Sequence, residues 1–276
     1  MPSWMRRAAA LRRYPAPVRR SAPLIVLALI IGAVGLLAVY RYAAVSAQKR
    51  AAVAPSAALP TADPTTLFPA LAGDELRKAL HDYAAAGHDP LSYRRAREIV
   101  YWQLDNEADH VVTIYERRRL ELDSGEWPDP EVINTEHLWP QSRGAGTGPA
   151  KSDLFHIRPS VPRVNSVRSN LPFGSPIAPF DHDAVSGWRQ GHEADGDEVF
   201  LPPPTVRGDI ARAMFYFSIR YEKPIDDDEE EDLRRCHAED PVDEAERRRA
   251  AAAAEEQGNA NPFIDDPKLV SRIADF

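Results

Sequence analysis

The chain reads as an α+β domain behind one N-terminal membrane-spanning helix, and three observations lead there. Residues 21–40 are an uncharged stretch dominated by Leu, Ile, Val and Ala, and twenty residues of helix span about 30 Å, the depth of a bilayer's hydrocarbon core. Beyond residue 70, short β-branched runs such as 111–115 alternate with longer segments whose apolar residues recur at helical spacing. With 276 residues, there is room for one ordinary catalytic domain and accessory segments.

Taken in order, residues 1–20 form a basic tail with six arginines, and Arg41, Lys49 and Arg50 follow the apolar stretch. The positive-inside bias leaves the tail in the cytoplasm and sends the rest across as a signal anchor. Cleavage after 45–47 (Val-Ser-Ala) is the competing reading, which would release a secreted chain. Residues 41–70, rich in Ala, Pro, Ser and Thr, read as a tether, and 71–276 as the catalytic domain. Asp74 is expected to cap a first helix that places Leu76, Leu80 and Tyr83 on one face. Ser92 should cap a second, with Tyr93, Ala96, Val100 and Leu104 at helical spacing. Strands are expected over 111–115 and 131–138. The helix over 208–221 carries Ile210, Met214, Phe217 and Tyr221 as a core stripe. A last long helix is expected to start at Asp240 and Pro241 and stop near Gly258. The seven acids 226–232 read as a solvated, mobile loop. Cys236, the only cysteine, excludes an internal disulfide and a cysteine-rich zinc module, and is expected to be a buried packing residue.

The net charge of −8 is unevenly placed. Nine basic residues and no acid lie in residues 1–50, so the remainder holds 25 basic against 42 acidic residues, a charge of −17. An acidic body argues against tight, processive polyanion binding. Residues 137–180 run the other way, with Arg143, Lys151, Arg158, Arg163 and Arg168 against Asp153 alone.

The same region gathers the residue types of one chemistry. Glu136-His137-Leu138-Trp139-Pro140 is followed by Asp153-Leu154-Phe155-His156-Ile157-Arg158-Pro159 and by Val164-Asn165-Ser166-Val167-Arg168-Ser169-Asn170. A carboxylate and an amide oxygen suit a hard divalent cation. A histidine, titrating near 6.5 when unperturbed, suits a water nucleophile, and arginines suit phosphate oxygens. Together they point to metal-assisted phosphodiester hydrolysis. Neighbours in a strand face opposite ways, so the strand must end or bulge at Glu136 and His137, and Pro140 marks the break.

These blocks, with 207–216, 240–243, 246–249 and 257–265 in the same order, resemble the endonuclease I family of secreted nucleases, over roughly residues 90 to 267. The resemblance implies a ββα-metal core surrounded by helices, with residues 163–170 as its helix. It implies His137 as general base and Glu136 and Asn165 as ligands of Mg²⁺, for which Mn²⁺ can substitute. Arg143 is the candidate for the transition-state arginine, Arg158, Arg163 and Arg168 for phosphate contacts, and Asp153 and His156 for support. Arg168 is open between binding phosphate and holding Asp153. Two departures stand out. Phe155 replaces a histidine of many relatives, and the connection from Pro140 to Asp153 is short and glycine-rich. The implied substrate is DNA, with RNA as a second, cut without sequence preference by a monomer on the outer side of the cytoplasmic membrane. A catalytically weak nucleic-acid receptor is the alternative. A zinc peptidase fails, because no His-Glu-x-x-His is present and Ile133 stands where a reversed motif needs histidine.

For the N-terminus, the full-length chain is expected to stay with membranes after a carbonate wash, its C-terminus open to protease only from the outer side. A soluble mature chain beginning near Gln48 would show cleavage instead.

Overall fold

A computed structural model describes residues 67–122 and 127–276, which belong to one unit of the chain, Ala62–Phe276. The basic tail, the apolar stretch 21–40 and nearly all of the tether lie outside the described residues. Among the described residues no helix is long and apolar enough to cross a membrane. The fold is α+β, with three small antiparallel sheets set among helices.

Helix α1 (Gly73–Ala85) buries Leu76, Leu80 and Ala84, each large side chain contributing about 1.5–3 kcal/mol when removed from water. Its cap position is Ala72, with no side-chain bond, and Asp74 falls in the first turn, where it faces the positive end of the helix. Helix α2 (Tyr93–Ile99) starts as expected, with the Ser92 side chain accepting from the Arg95 amide, and continues into a π-turn, Val100–Leu104. Strands β1 (Asn106–Glu107), β2 (His110–Val112) and β3 (Arg119–Glu121) form the first sheet. The expected strand over 111–115 leaves that ladder after Val112. The Ile114 amide instead donates to the Pro159 carbonyl at 2.8 Å, which brings Tyr115 to the next sheet.

That second sheet pairs β4 (Asn134–His137) with β5 (Ile157–Ser160), Glu136 opposite Arg158 and His137 opposite Ile157. Seven residues of helix, α3 (Pro162–Arg168), follow at once and end at Ser169, whose φ is 50°. Strands β6 (Ala178–His182), β7 (Arg189–His192) and β8 (Glu198–Leu201) make the third sheet. Helix α4 (Arg207–Tyr221) is buried on every side from Ile210 to Ile219, as expected of a helix that is apolar nearly all round. It packs against α1 and α5 (Asp227–Glu239), and Trp139 stacks on its Phe217 at 4.7 Å between ring centroids. At its start a Cβ on Gly208 would meet the Asp240 carbonyl oxygen at 1.8 Å, so only glycine fits there.

Two sequence expectations need correction in the C-terminal third. The acidic run forms the first turns of α5 instead of a mobile loop. Asp226 caps it, and Asp227, Asp228, Glu229 and Glu230 sit at the helix's positive end. Three acids of the run are also buried against specific partners. Glu229 accepts from the Phe173 amide, Glu230 holds Arg234 and the Phe276 amide, and Asp232 accepts from the Ser175 amide and hydroxyl. The last long helix, α6 (Glu244–Gln257), is capped by Asp243 and not Asp240, whose carboxylate accepts from the Gly208 amide at 2.9 Å. Its C-terminal stop is Gly258 at φ 85°, as expected. A short helix, α7 (Pro262–Asp265), follows, and Cys236 is buried.

Buried Arg212 binds the three C-terminal segments together. It donates to both oxygens of Glu246 at 2.7 and 2.6 Å, to the Asp240 carbonyl at 2.9 Å, and faces Nδ1 of His237 at 3.3 Å. Burial, and then the Arg212 charge, push the His237 pKa down to about 4. In the unfolded chain that imidazole titrates near 6.5. Between these values the unfolded state binds a proton that the folded state refuses, so the stability is complete above pH 6.5 and falls as the pH drops through the window. On moving from pH 7.5 to 5, the urea midpoint should therefore fall more for the wild type than for His237→Gln. Equal falls would remove His237 as a source of acid sensitivity.

Candidate active site

Strand β4 ends at His137, the break that the adjacent pair requires. The two side chains have separate partners. Glu136 is buried, and its Oε1 accepts from the Tyr115 hydroxyl at 2.6 Å, with Arg168 Nε 3.6 Å away. Burial raises its pKa, against the pull of Arg168, the Tyr115 hydroxyl and the His137 amide. A buried carboxylate so incompletely compensated favours a nearby cation.

Asn165, half-buried on α3, donates its amide nitrogen to the Asn134 side-chain oxygen at 2.8 Å. That leaves the Asn165 oxygen as the free end of the amide. Asn134 and Glu136 are two apart on β4 and so share a face. Among the described residues no three His, Cys, Asp or Glu side chains converge as a cage. One carboxylate and one amide oxygen form a sparse donor set of the kind Mg²⁺ accepts, with water and phosphate completing the shell.

His137 is 4% exposed. Its Nε2 lies 3.1 Å from the Lys151 carbonyl, an acceptor only, so Nε2 carries the proton and Nδ1 the lone pair. The Gln141 amide points at Nδ1 from 3.3 Å. Tyr93 lies against one side of the ring, 5.6 Å between centroids, and His156 is 5.5 Å away. Burial, and then the neighbouring His156, push the His137 pKa down to about 3. The imidazole is thus neutral throughout the physiological range, in contrast to the near-neutral titration the sequence suggests.

His156 is wholly buried, held by its Nε2 to the Ala150 carbonyl at 2.6 Å and packed on Phe217. Phe155 packs on Tyr216, 4.9 Å between centroids, and belongs to the core. Asp153 does not meet Arg168. It accepts from Tyr216 at 2.7 Å, Tyr221 at 2.8 Å, Gln257 at 3.0 Å and the Phe155 amide at 3.0 Å.

The arginines divide by burial. Arg168 has no exposed surface; it faces Glu136 as an ion pair at 3.6 Å, donates to the Leu138 and Ser169 carbonyls and lies 4.4 Å from the Phe173 ring centroid. Arg158 is buried between Asp105 and Asp209. Neither offers a guanidinium to an incoming phosphate, because both are themselves buried against acids. Arg163 is exposed and paired with Asp181 at 3.0 Å. Arg143 pairs with Glu229 at 2.7 Å and sits 5.1 Å from the Trp139 ring centroid. Of the five basic residues in 137–180, Lys151 alone has no carboxylate partner among the described residues.

Sequence reasoning missed Tyr115, Asn134, Gln141 and the Lys151 carbonyl. Asn134 could have been found from its period-two relation to Glu136. The others are set by tertiary contacts, and a backbone carbonyl has no side-chain signature.

Comparison with known proteins identifies the chain's family. Residues 88–268 match the family model for Endonuclease I. An extracellular ribonuclease of Bacillus subtilis (strain 168) is 30% identical over 252 residues, covering 78% of this chain and 81% of that protein. An extracellular ribonuclease of Bacillus amyloliquefaciens is 31% identical over 252 residues, covering 78% and 80%. By these matches the chain belongs to the endonuclease I family, nucleases that hydrolyse phosphodiester bonds.

Proposed function

We propose that this chain is a divalent-metal-dependent endonuclease that cuts DNA and RNA with little sequence preference, and that β4, β5 and α3 are its ββα-metal core. The observation that carries this reading is the His137 ring. With Nε2–H donated to the Lys151 carbonyl, Nδ1 carries the lone pair, which the Gln141 amide faces at 3.3 Å and which a water can take in its place. A water placed there loses its proton to Nδ1 as its oxygen bonds to phosphorus and the 3′ oxygen leaves. The Lys151 carbonyl fixes the tautomer and accepts a stronger hydrogen bond from the imidazolium that forms. Glu136 and Asn165 would hold Mg²⁺, which supplies stabilisation of charge on the phosphate and the leaving oxygen. Mn²⁺ can replace it, since both favour oxygen donors.

Arg168 serves in this reading as the fixed countercharge of Glu136, and Arg158 as a pairing residue. Arg143 remains the candidate for contact with the phosphate, its charge moderated by Glu229. Arg163, at the start of α3 and exposed, supports a weaker backbone contact. His156 and Asp153 hold the segment that carries the Lys151 carbonyl. RNA enters the substrate range because the two relatives carry the name ribonuclease. Their description as extracellular supports a domain that works outside the cytoplasm, delivered there by residues 21–40 whether retained or cleaved. The chain acts as a monomer.

The competing reading is a catalytically weak nucleic-acid receptor, favoured by the domain's acidity. Plasmid nicking with and without EDTA separates the two. If His137 is the base, His137→Ala should retain metal and nucleic-acid binding while cleavage falls by about 10²–10⁴-fold. Glu136→Ala and Asn165→Ala should weaken metal binding in calorimetry, and added Mg²⁺ should restore part of their activity. Loss of the metal by His137→Ala as severe as by Glu136→Ala would make the histidine a ligand.

A further inference from the structure

Beside His137, on the side covered by Tyr93, lies a ladder of rings and cations whose side chains the cleavage chemistry does not use. Tyr93 lies 5.6 Å from His137 between ring centroids, and Lys151 Nζ lies 4.9 Å from the Tyr93 centroid. The Arg97 guanidinium comes next, 5.7 Å from the ring centroid of Tyr93, 5.5 Å from that of Tyr101 and 4.9 Å from that of Trp127. Trp127 is half-buried, its ring 5.4 Å from Trp102 in an edge-to-face arrangement, and Arg94 lies 5.3 Å from its centroid.

Arg94 pairs with Glu98, but the two inner cations of this ladder have no acidic partner among the described residues. Neither Lys151 nor Arg97 has a carboxylate within 4 Å among the described residues, although the domain has a large acidic excess. Arg97 Nε is buried with no hydrogen-bond partner among them. A guanidinium held among three rings keeps its position without a counterion. Such a group is ready for an anion, and Trp127 next to it, flanked by Arg97 and Arg94, keeps part of its ring surface exposed. Phosphate and nucleobase alternate in the same way along a nucleic-acid strand.

We propose that Tyr93, Lys151, Arg97 and Trp127 form a subsite for the unpaired strand next to the cleaved bond. Lys151 and Arg97 hold the neighbouring phosphate, and Trp127 stacks on a base. This rests on the reading of His137 as the cleavage centre. Stacking on Trp127 needs a base whose face is free, which a duplex offers only at its ends, so the subsite favours single strands. It also explains how an acidic protein can hold a polyanion, through a local contact of base and phosphate.

The test uses the full-length chain in mild detergent with EDTA, so that nothing is cut. The probes are a labelled oligothymidylate about 12 nucleotides long, within the usual range of single-strand sites, and a duplex of equal length. Base–aromatic stacking is worth about 1–3 kcal/mol, so Trp127→Ala should weaken the single strand about 10-fold or more and collapse its preference over the duplex. Trp127→Phe, which keeps a ring, should retain most of that preference. Arg97→Gln should reduce the slope of log affinity against log salt by about 0.7, one phosphate contact on a single strand. Equal losses on both probes, or no rescue by Phe, would overturn the subsite. His137→Ala in the nicking assay keeps the two proposals apart. If cutting is abolished while Trp127→Ala keeps the preference, the subsite alone fails. If cutting persists while the preference depends on Trp127, the subsite stands and the assigned centre fails.

Discussion

The site depends on one buried carboxylate. Asp153 has no exposed surface and accepts hydrogen bonds from Tyr216 and Tyr221 of α4, from Gln257 at the end of α6, and from the Phe155 amide. These bonds fix the segment entering β5 to the central helix and to the C-terminal one. On that segment lie the Lys151 carbonyl, which accepts a hydrogen bond from His137 Nε2, and His156, which packs beside the His137 ring. A carboxylate buried without these donors would cost several kcal/mol, so the donors and the segment are mutually required. The direction of the His137 ring is thereby set from α4 and α6, far along the chain.

Charge is arranged by the same rule, that a buried ion needs a partner. The domain's arginines mostly face its own acids: Arg168 faces Glu136, Arg158 and Arg249 face Asp105, and Arg212 faces Glu246. The basic excess over 137–180 therefore does not become a basic surface. Among the described residues, Lys151 and Arg97 beside the catalytic strand have no acidic partner. An enzyme built this way engages its substrate near the chemistry and has little hold elsewhere, and its affinity should be modest and sensitive to salt.

Much of this was legible in the sequence where the cause is local. The Ser92 cap, the Gly258 stop and the stripe of Ile210, Met214 and Phe217 follow from short-range patterns, and the structure has them. The turn from β4 through His137 to Pro140 follows from the alternation of strand side chains. The failures have tertiary causes. A run of seven acids reads as a loop until Phe173, Ser175, Arg234 and Phe276 are seen to supply donors to it. Asp240 reads as a cap, but the close approach of Gly208 claims it. Arg158 and Arg168 read as phosphate ligands because a sequence cannot show that Asp105 and Glu136 reach them first. The depressed pKa of His137 likewise arises from burial beneath Tyr93 and His156 at the strand end, residues brought there by two separate segments.

The central claim is that His137 presents a neutral Nδ1 lone pair because its Nε2 proton is held by the Lys151 carbonyl. Nitrogen-15 NMR of the histidine side chains, with His137 assigned by the His137→Ala spectrum, reads this directly. A neutral ring protonated at Nε2 from pH 5 to 8 is expected. A ring protonated at Nδ1, or an imidazolium that titrates near the ordinary value of about 6.5, would contradict it.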